Sequence, residues 1–198
     1  MENEGVKTLT IASDKGGVGK STLAALIIEY LNFKNIPINL KDADPIKTSE
    51  KWVNNCLKDG RNVLADKAKY LVIDTAGTSG ANLTYLDDAH VIIVPFQPHY
   101  ADITTILRWF RFVRPEIQKK VVFVPNRYQK TNEQKDGLLS VQKQIEKIGA
   151  GVLLPYISNR PAIYGALLNG SNANFFVKHS DESVLNEIKN LMNYILEK

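Results

Sequence analysis

The chain has 198 residues, of which 44% are hydrophobic and 23% charged, a balance typical of a single globular domain spanning residues 1–198. Its net charge of +4 permits a polyanionic partner without demonstrating one. No apolar run in the sequence is long enough to span a bilayer, and the polar first seven residues do not resemble a secretory signal, so we expect a cytoplasmic protein. The single cysteine, Cys56, excludes an internal disulfide and is expected to pack in the core.

Short runs rich in β-branched residues alternate with amphipathic stretches along the chain. They predict strands at 8–13, 37–42, 70–75, 90–95, 121–126 and 151–155. The alternation favours an α/β fold, in which a doubly wound, mostly parallel sheet is covered by helices on both faces. Ligands of such sheets bind beyond the carboxyl ends of the strands. Residues 137–151 look like a further helix with a glycine at each end.

Residues 15–22 carry the clearest chemical signal, because they read Lys-Gly-Gly-Val-Gly-Lys-Ser-Thr between the first predicted strand and an apolar helical run. Glycines let backbone amides turn inward around phosphate oxygens, and the N-terminus of the following helix adds positive charge. Lys20 then supplies a charge for the β- and γ-phosphates of ATP, and the Ser21 hydroxyl a ligand for Mg²⁺. The predicted nucleotide-binding residues are Gly16, Gly17, Val18, Gly19, Lys20, Ser21 and Thr22.

The loop departs from the standard P-loop pattern at its start, where Asp14 replaces a glycine and Lys15 is an additional lysine. In this it resembles the deviant Walker A loop of the ParA and MinD ATPases. The resemblance implies that Lys15 reaches the partner's phosphates across a nucleotide-sandwich dimer, so that homodimerisation depends on ATP. The single cysteine excludes the iron proteins of the same superfamily, which share a cluster through paired cysteines.

Two carboxylates, Asp42 and Asp44, follow the second predicted strand and precede Pro45. The segment resembles the family's second nucleotide motif, which implies that Asp44 orients the attacking water and that Asp42 supports the Mg²⁺ ion or its water shell. The alternative is that both side chains cap a helix that starts after Pro45.

A third acid, Asp74, ends the apolar run Tyr-Leu-Val-Ile at residues 70–73. This is the form of a Walker B strand, which predicts that Asp74 contributes to the Mg²⁺ shell through a water, opposite Ser21. Residues 77–80 then form either a turn that senses the γ-phosphate or an ordinary glycine loop.

Farther along, residues 94–98 and Asp102 resemble a family segment near the dimer interface. The spacing to Asp102 is one residue longer than usual, so no role is assigned to it. Asn126 lies where relatives place adenine contacts, and its amide can donate to and accept from a base edge. A turn residue at the end of a strand is the alternative.

Basic residues suggest where DNA would bind. Residues 155–170 are similar to the stretch of ParA-type partition ATPases in which an arginine contacts DNA, which implies that role for Arg160. Arg127, Lys130 and Lys135 lie where a second basic contact is expected. A third basic group, on the helix around residues 108–114, is explained equally well by a solvated face.

The terminal stretch 181–198 is amphipathic, with one apolar face formed by Val184, Ile188, Leu191 or Met192, and Ile195. MinD-like relatives end in a basic helix that lies on the membrane. Here the polar side is mainly acidic, so anionic lipid would repel it and we expect it to close the core.

Taken together, the resemblance implies a compact ParA-like ATPase without an N-terminal helix-turn-helix domain. Such a protein hydrolyses ATP slowly, binds DNA without sequence preference on the nucleoid, and segregates or positions a plasmid, chromosome or other cargo. Its activator is typically a ParB-like centromere-binding protein. The alternatives are a MinD-like regulator at a membrane and a nucleotide-gated dimerisation module in which hydrolysis matters little.

Overall fold

A six-stranded parallel sheet forms the centre of the computed structural model, which describes residues 5–77, 83–179 and 181–197. The strands are β1 (Lys7–Ile11), β2 (Ile38–Asp42), β3 (Tyr70–Asp74), β4 (Val91–Phe96), β5 (Val121–Pro125) and β6 (Val152–Leu153). Their order in the sheet is β2-β3-β1-β4-β5-β6. All six predicted strands are confirmed, with every boundary within two residues of its predicted position.

Helices connect the strands and cover the sheet. They are α1 (Lys20–Phe33), α2 (Thr48–Lys58), α3 (Leu83–Asp87), α4 (Tyr100–Phe112), α5 (Pro115–Gln118), α6 (Asn132–Ile148), α7 (Pro161–Tyr164), α8 (Phe175–Lys178) and α9 (Glu182–Leu196), with a 3₁₀ turn at Leu167–Asn169. In the part of the chain that the structure describes, no helix combines the length and the apolar character needed to cross a membrane.

The two faces of the sheet pack into two separate hydrophobic clusters. Along β4, Ile93 lies in the cluster shared with α1, α2 and α9, whereas Ile92 and Val94 lie in the cluster shared with α4 and α6. Along β5, Val122 and Phe123 divide in the same way. Because successive side chains of a strand point to opposite faces, both faces of the sheet are buried. The predicted doubly wound α/β fold is confirmed.

One predicted helix has a different start. It extends over Asn132–Ile148 rather than from residue 137, because the Thr131 side chain caps it by accepting a hydrogen bond from the Gln134 amide at 3.3 Å. Gly137 lies inside this helix, where it permits a close approach to α4. A Cβ at that position would lie 2.4 Å from Ile103 Cδ1 and 2.9 Å from the Pro98 carbonyl oxygen. The helix ends two residues earlier than predicted, at Gly149 rather than Gly151, since Gly149 adopts a left-handed φ of +72°.

The terminal helix α9 closes the core, as predicted. Its buried residues are Val184, Ile188, Leu191, Met192 and Ile195. They belong to the same cluster as the buried face of α1, the helix that follows the glycine-rich loop. The same cluster contains the fully buried Cys56.

Candidate functional site

The glycine-rich loop joins the carboxyl end of β1 to the N-terminus of α1. Gly17 and Gly19 have φ angles of +75° and +97°, which side-chain-bearing residues rarely adopt. Gly19 is also the N-cap of α1, and a Cβ there would lie 2.3 Å from Asn126 Nδ2. The loop therefore needs glycine both for its backbone shape and for its contact with the segment after β5.

Lys20 is 7% exposed, although it carries a charge at the first position of α1. Its Nζ donates a hydrogen bond to the Lys15 carbonyl oxygen at 3.0 Å. Burial lowers the pKa of Lys20, while the carboxylates of Asp74, Asp44 and Asp14 oppose that change. The loop thus places one buried ammonium within the field of three acids.

Asp74 ends β3 and is fully buried. Within the described residues, neither of its carboxylate oxygens accepts a hydrogen bond of ordinary geometry. Burial raises the pKa of Asp74 from 3.8 to about 6, with the Ser21 and Ser49 hydroxyls acting in the opposite direction. A buried carboxylate without a donor is costly, and a bound cation would remove that cost.

This donor set fits Mg²⁺ held partly by a nucleotide. Among the described residues, no group of three histidine, cysteine, aspartate or glutamate side chains could hold a metal. Magnesium commonly takes only one or two protein ligands and completes its shell with phosphates and water. Ser21 and Asp74 would hold the ion, consistent with the sequence prediction, with Asp42 nearby.

Asp42 and Asp44 each make hydrogen bonds within the protein. The Asp42 carboxylate accepts from the Ser49 hydroxyl at 2.8 Å and from the Glu50 amide at 2.9 Å, so it caps the N-terminus of α2. Asp44 Oδ1 accepts from the Ile46 amide at 2.8 Å in a local turn. Asp42 therefore makes the capping contact that the sequence offers as an alternative, although α2 begins at Thr48 rather than directly after Pro45. Asp44 is only partly buried and lies close enough to influence Lys20.

Lys15 forms an ion pair with Asp102, the acid to which the sequence assigned no role. The Lys15 side chain is 47% exposed, whereas that of Asp102 is only 4% exposed. Asp102 Oδ2 also accepts from the Gln97 amide at 3.3 Å. The only sequence signal for this contact is an acid in the first turn of the helix after a buried strand.

A cavity of about 530 Å³ opens beside the loop. One wall is the first part of α1 with Gly19 and Thr22, and the other is the segment from Ile157 to Gly165. Asn126 lies at this cavity, where its Nδ2 donates to the Val18 carbonyl oxygen at 2.8 Å. The predicted adenine contact is thus adjacent to the loop, with one of its donors used within the protein.

The predicted DNA-contacting residues differ in their surroundings. Arg127, Lys130 and Lys135 are exposed, and the first two have left-handed φ angles of +55° and +61°. Arg160 instead forms an ion pair with Glu187 of α9 at 3.1 Å, and its side chain is 28% exposed. Both arginines line the cavity described above.

Gly77 packs directly on the loop, a contact that the sequence did not predict. A Cβ at this position would lie 2.9 Å from the Gly16 nitrogen. The rest of the predicted γ-phosphate-sensing turn, residues 78–80, lies outside the described residues.

Residues 9–173 match the family model described as the CobQ/CobB/MinD/ParA nucleotide binding domain. The chain belongs to this family. The predicted resemblance is therefore confirmed, and the loop is part of a nucleotide-binding domain.

Among curated proteins, the chain is 24% identical to the protein ParA of Rhizobium radiobacter over 113 residues, which cover 48% of the chain and 51% of that protein. It is 50% identical to the iron-sulfur cluster carrier protein of Rickettsia typhi over 38 residues, which cover 19% of the chain and 12% of that protein. The chain thus matches about half the length of the ParA relative and a short part of the carrier.

Solved structures of similar fold cover almost the whole chain. A Borrelia burgdorferi B31 protein assigned to plasmid partition, bound to AMPPNP, has a TM-score of 0.70 at 19% identity, over 98% of this chain and 99% of that one. Apo McdA of Cyanothece has a TM-score of 0.74 at 14% identity, over 96% and 100%. The MinC:MinD cell division complex of Aquifex aeolicus gives 0.73 at 16% identity, over 98% and 97%. At these identities the comparisons show the fold.

Proposed function

We propose that this protein is an ATP-hydrolysing partition protein of the ParA type, which acts as a Mg²⁺-ATP-dependent sandwich dimer on DNA. The observation that carries the proposal is that Lys20 of the phosphate-binding loop and Asp74 at the end of β3 are both buried and close enough to influence each other electrostatically, while the Asp74 carboxylate accepts no hydrogen bond of ordinary geometry from the described residues. These are the two charges that phosphoryl transfer requires, one for the phosphate oxygens and one for the metal shell.

Each residue of the site has a role in hydrolysis under this proposal. Lys20 leaves the Lys15 carbonyl and neutralises the β- and γ-phosphate oxygens, while the loop amides surround them. Bound Mg²⁺, held by Ser21 and through a water by Asp74, would further neutralise the developing charge. Asp44, on the partly exposed segment after β2, orients the attacking water.

Dimerisation depends on Lys15. Its half-exposed side chain is anchored in the free chain by Asp102 alone among the described acids. An ATP-bound partner offers phosphate oxygens with more negative charge than one carboxylate, which favours the transfer of Lys15 to the partner's site. Formation of the dimer then depends on bound ATP.

DNA binding is assigned to Arg127, Lys130 and Lys135, with Arg160 as a further contact. The exposure of the first three supports phosphate contacts that carry no sequence preference. A ParB-like protein is the proposed activator, and a plasmid, chromosome or other cargo is what the nucleoid-associated protein positions.

The hydrolysis proposal is tested by measuring phosphate release from Lys20→Ala and Asp44→Asn. Both changes should lower kcat by about 100-fold or more, because each removes a charge or acceptor at the reacting phosphate. Lys34→Ala and Asp59→Asn are matched controls at exposed positions on α1's C-cap and α2's C-cap. ATP hydrolysis that persists in Lys20→Ala would refute the proposed ATPase activity at this loop.

The DNA proposal is tested by titrating ATP-loaded protein with random-sequence duplex at several salt concentrations. Affinity should fall steeply with salt, and Arg127→Ala combined with Lys130→Ala should reduce both the affinity and the salt slope. Lys189→Ala, an exposed lysine on α9, is the control. DNA binding that does not depend on salt would contradict the proposed phosphate contacts. Binding that is unchanged in the double variant would mean that Arg127 and Lys130 do not form the DNA-binding surface.

A further inference from the structure

Two side chains of the terminal helix α9 contact the segment that forms the outer wall of the cavity: the Ser183 hydroxyl accepts one hydrogen bond from Arg160 at 3.0 Å, and Glu187 makes the other contacts. Glu187 of α9 accepts hydrogen bonds from three groups of this segment: the Ser158 amide at 3.2 Å, the Arg160 guanidinium at 3.1 Å and the Tyr164 hydroxyl at 2.8 Å. Its side chain is 12% exposed, so water competes little for these bonds.

The opposite wall of the cavity is tied to the same helix by apolar packing. Leu23 and Leu26 of α1 line the cavity, and they belong to the same buried cluster as Val184 and Ile188 of α9. Glu187 lies between Val184 and Ile188 in sequence. The helix α9 therefore contacts both walls, through its hydrophobic face and through the Glu187 carboxylate beside that face. Together with the backbone hydrogen bonds that join the outer wall to Pro125 and Tyr128, it sets the separation of the walls.

The cavity lies where the ribose and base of a bound nucleotide would extend from the loop, so the separation of its walls controls the contacts with the base. Phosphates bind at the loop amides around Gly17 and Gly19, so the ribose and base must extend past Thr22, into the space that Asn126 and Tyr164 line. A flat base loses affinity quickly when one wall moves away, because its contacts with the wall fall off steeply with distance.

We infer that Glu187 is a positioning residue for the nucleoside half of the site, which acts by holding Ser158 and Tyr164 against the base. This rests on the proposed nucleotide site at the loop, and adds a residue that contacts neither phosphate nor metal. The carboxylate matters because it accepts all three bonds at once. Its loss leaves the partly buried Ser158 amide and Tyr164 hydroxyl without this acceptor, while the Arg160 guanidinium keeps its bond to the Ser183 hydroxyl.

The test compares ADP with inorganic pyrophosphate, both titrated with Mg²⁺ by calorimetry. Both ligands carry the diphosphate, and only ADP carries ribose and base. Glu187→Ala should weaken ADP about tenfold and leave pyrophosphate unchanged. Glu187→Gln should weaken ADP by a smaller factor, because the amide oxygen keeps part of the acceptor capacity. Glu182→Gln, an exposed glutamate of the same helix, is the control.

A second variant tests the contact itself. Tyr164→Phe removes only the phenolic donor and should weaken ADP about threefold in the native background. In the Glu187→Ala background it should have no further effect, since the two residues act through one bond. Thermal denaturation of each variant confirms that it is folded.

The outcomes separate this inference from the proposed function. Equal weakening of ADP and pyrophosphate in Glu187→Ala, or additive effects of the two changes, would overturn the positioning role while ATP binding stands. A native chain that binds pyrophosphate as tightly as ADP would do the same, because the base would then make no contact. A native chain that binds neither ligand would overturn both.

Discussion

The unpartnered carboxylate of Asp74 should make the free protein less stable than a variant that lacks its charge. In the unfolded chain this carboxyl ionises near the ordinary aspartate pKa of 3.8, whereas burial raises the folded-state pKa to about 6. The folded chain therefore holds the proton more tightly. Above pH 6 the folded chain must ionise this group, which lowers the free energy of unfolding by about 3 kcal/mol. The loss becomes smaller as the pH falls between the two pKa values, and it disappears below pH 3.8.

Asp74→Asn removes this cost while it keeps the shape of the side chain. Relative to the native chain, the variant should gain about 3 kcal/mol at pH 8 and about half as much at pH 5. The buried amide carries its own desolvation cost, but that cost does not vary with pH. The change in the stability difference between the two pH values, about 1.4 kcal/mol, isolates the ionisation of Asp74.

Urea denaturation in metal-free buffer at pH 5 and pH 8 measures this quantity. Asp59→Asn is the control, because it makes the same chemical change at an exposed position, the C-cap of α2. The same Asp74 variant should lose Mg²⁺-dependent ATP hydrolysis. A stability difference for Asp74→Asn that does not depend on pH would refute the argument that burial raises its pKa.

Four further changes probe the loop and the helices beside it. Lys15→Gln should leave ATP binding intact but abolish the ATP-dependent dimer in size-exclusion chromatography, whereas a fully dimeric variant would contradict the role of this lysine. Asp102→Asn, which frees the Lys15 ammonium, should leave dimerisation intact in the same assay. Arg61→Ala leaves the 2% exposed Glu29 carboxylate without its ion-pair partner and should cost about 3–5 kcal/mol in chemical denaturation; a loss below about 1 kcal/mol would show that Glu29 is solvated. Gly19→Ala introduces a Cβ at a φ of +97° and should weaken nucleotide binding about tenfold or more by calorimetry, and unchanged affinity would contradict the close contact at this position.

The sheet and the loop are predictable from sequence because each is encoded locally. The run from Tyr70 to Asp74 is buried except for the partly buried Leu71, so an apolar segment of that length has few other structures available. The loop requires glycine at Gly17 and Gly19, a lysine and a hydroxyl at fixed spacing, and those requirements are visible in eight consecutive residues. The start of α6 was predicted wrongly because Gly137 was interpreted as a boundary, whereas it relieves a contact with another helix.

Contacts between distant segments of the chain were not predictable in this way. Lys15 and Asp102 are 87 positions apart, and their contact depends on how β4 and α4 sit beside the loop. Glu187 of α9 meets Arg160 over 27 positions, and neither residue belongs to a pattern that pairs them. The first contact follows from the sheet order, which places β1 beside β4, and the second from the packing of α9 in the cluster that it shares with α1.

The charged side chains of the site differ in whether they have partners in the free chain, and this difference affects how a nucleotide would bind. In the free chain Lys15 contacts Asp102, and Lys20 contacts a carbonyl of its own loop. Asp74, in contrast, accepts no hydrogen bond of ordinary geometry from the described residues. A nucleotide with its magnesium ion would therefore replace two protein contacts of the lysines and fill one empty acceptor. A nucleotide without magnesium would leave Asp74 beside added negative charge. Since a ligand favours a state only through its differential interactions, this arrangement selects the magnesium complex over the free nucleotide.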